Sequence, residues 1–208
     1  NIEGKKLVIN TDAGGDDAAA ILLVLSASND TGYEVIAITC SYGNTKEENV
    51  VNNVLQILTI AGRADIPVYR GAKKPLKYNF TTDGLFGHNG FGDFDFEDEI
   101  TATVEESKHS AVALVELAKK YRGELSILSL GPTTNIALAI SLDPTFVNNI
   151  DRFYVMGGAI AGIGNYGPGV EFNFAPDPDS NFIFFNSSLT RSIFLYPIET
   201  DMEYSITT

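Results

Sequence analysis

Asp12, Asp16 and Asp17 stand within six residues of one another. Three carboxylates this close repel unless a cation or a proton neutralises them. No histidine or cysteine lies nearby, and donor sets made only of oxygen suit calcium or magnesium. Gly14 and Gly15 between them let the backbone turn tightly. A plainer account makes Asp16 a helix cap and Asp17 a first-turn acid, which leaves Asp12 unexplained. An aspartyl-phosphate chemistry would need an acid two residues before Asp12, where Asn10 stands and cannot form the acyl phosphate. A GxxxxGK[ST] loop and dinucleotide glycine spacing are both absent. With only His88 and His109, so is a two-histidine zinc helix.

These acids need elements to position them. Lys6–Ile9 reads as a strand ending at Asn10, and Asp16-Asp17 opens a helix. Glu34–Cys40 is a second strand. Val50, Val51, Val54, Leu55, Leu58 and Ile60 give Glu47–Ala61 helical spacing, with Gly62 as the stop. Residues 67–69 form a short strand, 71–103 a long loop rich in glycine and aromatics, and 107–121 a helix. Strands at 125–130, 152–156 and 192–196 then alternate with helices at 136–140 and 178–186. Such alternation implies an α/β fold, a mostly parallel open sheet with helices on both faces. Ligands in such sheets bind beyond the carboxyl ends of the strands. The segments there are Asn10–Asp17, Ser41–Asn44, Gly131–Asn135 and the loop from Gly157 carrying Asn165, Glu171 and Asn173.

The 208 residues, 44% hydrophobic and 20% charged, suit one folded domain. The net charge of -13 argues against nucleic acid and anionic membrane as partners. The longest apolar stretch, Ala18 to Ala27, has roughly half the length needed to span a bilayer. No signal peptide is visible at Asn1, so the chain starts mature, was never exported or was trimmed. Cys40 is the single cysteine and sits in an apolar strand, so it reads as a core thiol. Asn29, Asn79 and Asn186 begin N-glycosylation triplets, a weak pointer to an extracellular location against a cytoplasmic one.

The string Asn-Thr-Asp-Ala-Gly-Gly-Asp-Asp-Ala at 10–18 resembles the N-terminal signature of the inosine-uridine-preferring nucleoside hydrolases. Gly43-Asn44 is similar to their second loop, and Gly131–Asn135 to their GPLTN segment. Met156-Gly157-Gly158, Asn165 and Glu171-Phe172-Asn173 resemble their MGG…N…EFN block, and Asp177-Pro178 is similar to the DPE after that block. Gly87–Asp93 is similar to a further loop, with Asn89 in place of its acid. The resemblance implies a nucleoside hydrolase-like, Rossmann-like core. It implies hydrolysis of the N-glycosidic bond of a ribonucleoside to base and ribose by a calcium-bound water. By matching position, Asp12 and Asp17 would bind Ca2+ through carboxylate oxygens and Thr134 through its carbonyl. Asp12 would also take the water's proton. Asp16, Asn44, Asn165, Glu171 and Asn173 would hold the ribose hydroxyls, with Met156 packed near the sugar. A homo-oligomer is also implied.

Two positions depart from the family. Asn10 replaces its usual Asp, which implies altered local electrostatics rather than loss of metal. Members of the family continue past the point matching Thr208 and supply a further calcium-ligating Asp there. The expectation is therefore a single domain lacking that C-terminal portion. It is either part of an active enzyme or a relative that binds ribose or nucleoside without turnover.

Overall fold

The computed structural model describes residues 5–204. Six parallel strands form one sheet in the order β3-β2-β1-β4-β5-β6. They are β1 (Lys5–Thr11), β2 (Tyr33–Cys40), β3 (Val68–Tyr69), β4 (Leu125–Ser129), β5 (Ile150–Met156) and β6 (Ser192–Tyr196). The expected parallel α/β architecture is the one observed. Its layers follow from alternation along β1. Leu7 and Ile9 pack with Ile21, Leu25, Val50, Val54 and Ile57 on one face. Val8 packs on the other with Leu114, Ile127, Ile136, Phe153 and Phe184. Burying one such side chain stabilises by about 1.5–3 kcal/mol, so both faces must be covered for a parallel sheet to persist.

The first face carries α1 (Gly15–Ser26) and α3 (Glu47–Ile60). The second carries α4 (Ser110–Lys120), α5 (Thr134–Leu142) and α6 (Pro178–Ser187). The α4 helix starts later than residue 107, because His109 caps it by accepting the Ala111 N–H through its ring nitrogen. In α5, starting at Thr134 rather than residue 136, the helix begins in the loop segment itself. Three short elements carry too few residues for a periodic signal. These are α2 (Ser28–Thr31), a 3-10 turn at Phe146–Asn149 and α7 (Ile198–Tyr204). Residues 71–103 hold no helix or strand, as their composition implies. Cys40 is fully buried in the core. Asn79 and Asn186 are exposed, while the side chain of Asn29 lies outside the described residues, as do Asn1 and Thr208.

The chain leaves β1 toward β2 and β3 on one side, and β4 leads to β5 and β6 on the other. The crevice opens where strand order reverses, between the carboxyl ends of β1 and β4. Asn10 ties that seam together. Its amide nitrogen donates to Ser129 Oγ (3.1 Å) and the Pro132 carbonyl (3.2 Å). Its carbonyl oxygen accepts from Thr39 Oγ1 (3.2 Å) and Asn135 Nδ2 (3.0 Å). All four bonds are buried and none involves Asp12, so Asn10 supports the loops from behind. Asn10→Leu keeps the volume and orphans these partners. It is expected to cost on the order of 3 kcal/mol, read as a lower urea midpoint at unchanged m-value.

Candidate active site

The chain turns sharply after β1. Ala13 is fully buried and held at φ 30°, a region a side chain rarely adopts, and its N–H donates to Thr11 Oγ1. That turn points Asp12 into the seam and starts α1 at Gly15. Asp12 is completely buried. Its Oδ2 accepts the Asn44 N–H at 2.8 Å, and its Oδ1 has no hydrogen-bond partner among the described residues. Two glycines make this position possible. A Cβ on Gly43 would lie 2.0 Å from Asp12 Oδ2, and one on Gly131 would lie 2.5 Å from Oδ1. Gly43→Ala therefore displaces the carboxylate. Its expected result is a destabilisation of about 1–3 kcal/mol, checked by thermal melting.

Asp17 is buried in the first turn of α1 and accepts from Thr11 Oγ1 at 2.7 Å. Asp16 does not cap the helix: Gly14 is the N-cap, and Asp16 Oδ1 instead accepts the next N–H, from Asp17 (3.0 Å). Burial raises the Asp12 carboxyl well above the usual range, and the Asp17 charge raises it further. Burial, then the Asp16 charge, pushes Asp17 up to about 7. Without a cation, these two acids hold protons at a pH where free carboxylates have lost theirs.

Thr134 opens α5 and is fully buried. Its hydroxyl donates to Asp177 Oδ2 (2.7 Å) and meets the Tyr42 hydroxyl (3.1 Å). The hydroxyl is therefore committed to these partners, and a cation-binding role for the carbonyl rests on the family resemblance. Two buried carboxylates, one of them with an unpartnered oxygen, offer hard oxygen donors of the kind that suit a divalent ion. Among the described residues, no group of three Asp, Glu, His or Cys side chains is placed to hold a metal.

Above this floor lies a cavity of about 970 Å³. Every residue expected to hold the sugar lines it: Asp16, Asn44, Met156, Asn165, Glu171 and Asn173. Asp17 reaches the lining as well, whereas Asp12 and Thr134 are not part of it. Several of these groups already have structural duties. Glu171 accepts from the N–H groups of Gly158 (2.9 Å), Asn173 (2.8 Å) and Phe174 (3.1 Å), and burial still raises its carboxyl. Asn173 Nδ2 donates to the Leu130 carbonyl (2.7 Å) and lies 3.1 Å from Met156 sulfur. Asn165 Oδ1 accepts the Phe172 N–H at 2.8 Å. Asn89 stays outside the cavity lining and accepts from the N–H groups of Phe91 and Asp93 in its own turn.

Sequence reasoning missed part of the wall. Tyr154, Phe194 and Tyr196 line it, on strands whose alternation had shown only that they were strands. Asp83 and Asp201 line it too, from the long loop and from α7. No signal in the sequence marks them, since neither sits in a motif. The lining includes five acids and no Lys or Arg.

Comparison with known proteins agrees with this geometry. The profile of the inosine-uridine preferring nucleoside hydrolase family matches residues 7–208. Uridine nucleosidase 1 of Arabidopsis thaliana is 34% identical over 97% of this chain and 59% of its own length. A pyrimidine-specific ribonucleoside hydrolase of Escherichia coli is 37% identical over 88% of this chain and 57% of its own. In structure, the purine-preferring ribonucleoside hydrolase from Gardnerella vaginalis superposes with a TM-score of 0.88. It is 30% identical, with 98% of this chain and 64% of that one covered. A plant nucleoside hydrolase gives 0.85 at 32% identity, with 94% and 60% covered. The chain thus spans between half and two-thirds of the length of these relatives. With the profile matched over nearly its whole length and these loops in place, the chain belongs to the inosine-uridine preferring nucleoside hydrolase family.

Proposed function

We propose that this chain carries the catalytic floor of a ribonucleoside hydrolase, which cleaves the N-glycosidic bond to give free base and ribose. The observation that carries the reading is Asp12, wholly buried with one carboxylate oxygen unpartnered, next to Asp17, which lines the cavity. Asp12 and Asp17 would hold Ca2+ through carboxylate oxygens, with the Thr134 carbonyl beside them. Bound there, calcium would lower the pKa of a coordinated water. The chain's own residues do the rest. Asp12 accepts the proton as the water oxygen bonds to the anomeric carbon, and the bond to the base nitrogen breaks with its electron pair going to the base, which takes up a proton from solvent. Asp16 and Glu171 place negative charge where the sugar becomes oxocarbenium-like. Asn44, Asn165 and Asn173 offer amides to hydroxyls that both donate and accept.

The acidic lining favours a neutral ligand. A nucleoside 5′-monophosphate is expected to bind at least about tenfold more weakly than its nucleoside, measured as competition against uridine. The primary test is a reducing-sugar assay with inosine and uridine, with and without a calcium chelator. Calcium-dependent ribose release supports the reading. A second reading, binding of ribose or nucleoside without turnover, is favoured by Asp12 lying outside the cavity lining that the expected sugar-holding residues share. Saturable nucleoside binding with no ribose released would select it. An extracellular, glycosylated product is proposed from the exposed Asn79 and Asn186, and an intact mass showing no glycan on a eukaryotic product would refute it.

A further inference from the structure

Two long loops of irregular structure meet at the rim of the cavity, and aromatic rings join them. Phe80, from the 71–103 loop, lies 5.8 Å from the Tyr166 ring and 5.8 Å from the Phe172 ring, centroid to centroid. Tyr166 and Phe172 are 5.7 Å apart at a steep angle of 74°. The triangle closes on itself, and each edge is within the range of favourable tilted or edge-to-face packing. Its base is fixed. Phe80 also packs on the buried Tyr42 ring at 6.1 Å, and Thr82 Oγ1 donates to the Asn44 carbonyl at 2.9 Å.

The far side of the triangle is a small hairpin. The Tyr166 N–H donates to the Val170 carbonyl (3.0 Å), and Gly167 bridges Val170. Asn165 and Phe172 sit at its two ends, joined by the 2.8 Å bond from Phe172 N–H to Asn165 Oδ1, and both line the cavity. Apart from this hairpin's own bonds, the Phe80 contacts and a long bond from Tyr166 Oη to the Thr81 carbonyl (3.4 Å) tie its ring pair to the opposite loop.

We propose that Phe80 and Tyr166 are positioning residues: by clamping the 165–172 hairpin onto the 80–82 segment, they preset Asn165 and Phe172 for the ligand. The rings do the clamping, not the tyrosine hydroxyl, whose bond is long. Reading Asn165 as a ligand contact rests on the proposed nucleoside site, whereas the clamp itself is a property of the apoprotein. The two are tested apart.

The first measurement is amide hydrogen exchange on the ligand-free chain and on Phe80→Ala. Faster exchange at the amides of Tyr166, Val170 and Phe172, with exchange in β1 and β4 unchanged, is the expected result. Unchanged exchange at 165–172 overturns the clamp whatever the protein binds. The second is nucleoside binding or turnover in wild type, Phe80→Ala, Tyr166→Ala and Tyr166→Phe. Each alanine variant is expected to raise KM, or Kd where nothing is released, by about tenfold. The maximal rate stays within about twofold of wild type, and Tyr166→Phe restores the wild-type constant. A fall in kcat with KM unchanged, or no change in either, overturns the positioning role. Wild-type protein that neither binds nor cleaves any nucleoside refutes the nucleoside reading and, with it, positioning for that ligand. The exchange result still decides the clamp.

Discussion

Asp12→Asn is expected to abolish ribose release, lowering it about a thousandfold or more, because in the proposed mechanism one substitution removes both a cation donor and the proton acceptor. Calcium affinity should fall by more than the roughly tenfold to hundredfold that supporting partners of a metal ligand carry. The same substitution is expected to stabilise the calcium-free protein. Asp12 is buried against Gly43 and Gly131, near a second buried acid, with one oxygen unpartnered. An amide of the same shape carries no charge to desolvate, and its oxygen can still accept the Asn44 N–H. A gain on the order of 1–3 kcal/mol at pH 8 corresponds to a rise of several degrees in melting temperature. Adding calcium should then raise the melting temperature of wild type and leave the variant unmoved. This crossing pattern, variant above wild type without calcium and below it with calcium, separates a metal ligand from an ordinary buried acid. A variant destabilised under both conditions would contradict it.

The second large effect is a pH dependence of the metal-free fold. Burial raises Asp12 and Asp17 in the folded chain, Asp17 to about 7 from an ordinary 3.8. Between those two values the folded state binds more protons than the unfolded state, so stability falls as pH rises. The contribution is fully present below about pH 4 and lost as pH climbs through about 7. For Asp17 alone the span corresponds to roughly 4 kcal/mol. Calcium-free protein is therefore expected to have a lower urea midpoint at pH 8 than at pH 5. Under the proposed calcium site, saturating calcium should flatten or reverse that slope, because the cation would replace the protons. Urea titrations at both pH values, with chelator and with calcium, check this. A calcium-free midpoint that rises between pH 5 and pH 8 would be incompatible with protons shared at this floor.

Much of this protein is legible in one dimension. Apolar runs at Lys6–Ile9, Glu34–Cys40 and Leu125–Leu130 read as strands because burial on both faces demands continuous hydrophobic stretches. Helix α3 is visible because Val50, Val54 and Leu58 recur at the helical period, and Gly62 stops it. The site was legible for a different reason. A parallel sheet delivers its strand ends to one rim, so polar and glycine residues after each strand fall together without further information. That is why Asp16, Asn44, Asn165, Glu171 and Asn173 could be placed on one rim before any distance was known, whereas their roles at a sugar, and the place of Met156, came from the family resemblance.

Other features existed only once the chain had folded. The pairing of Asp12 with Gly43 and Gly131 depends on a close approach of three segments, and nothing in a glycine's identity says which neighbour it makes room for. The sequence left helix capping open as a plainer account of Asp16 beside its place at the site. The folded turn gave the cap to Gly14 and sent Asp16 to the cavity, because Ala13 at positive φ swings the backbone around. Asn10 stood out as a departure from the family. Its four partners on β2, β4 and the following loop segment appear only across strand pairs. Asp83, Asp201 and the Phe80, Tyr166 and Phe172 triangle were invisible for the same reason. They come from loops and a short helix distant in sequence, whose meeting is set by what the sheet leaves at its rim and not by any local pattern. Periodicity and strand-end chemistry act between neighbours in sequence, so residues alone determined the layers and the rim. The choice of which carboxylate is buried without a partner, and which loop holds which, is made by contacts between segments far apart in the chain, and only the tertiary structure decided it.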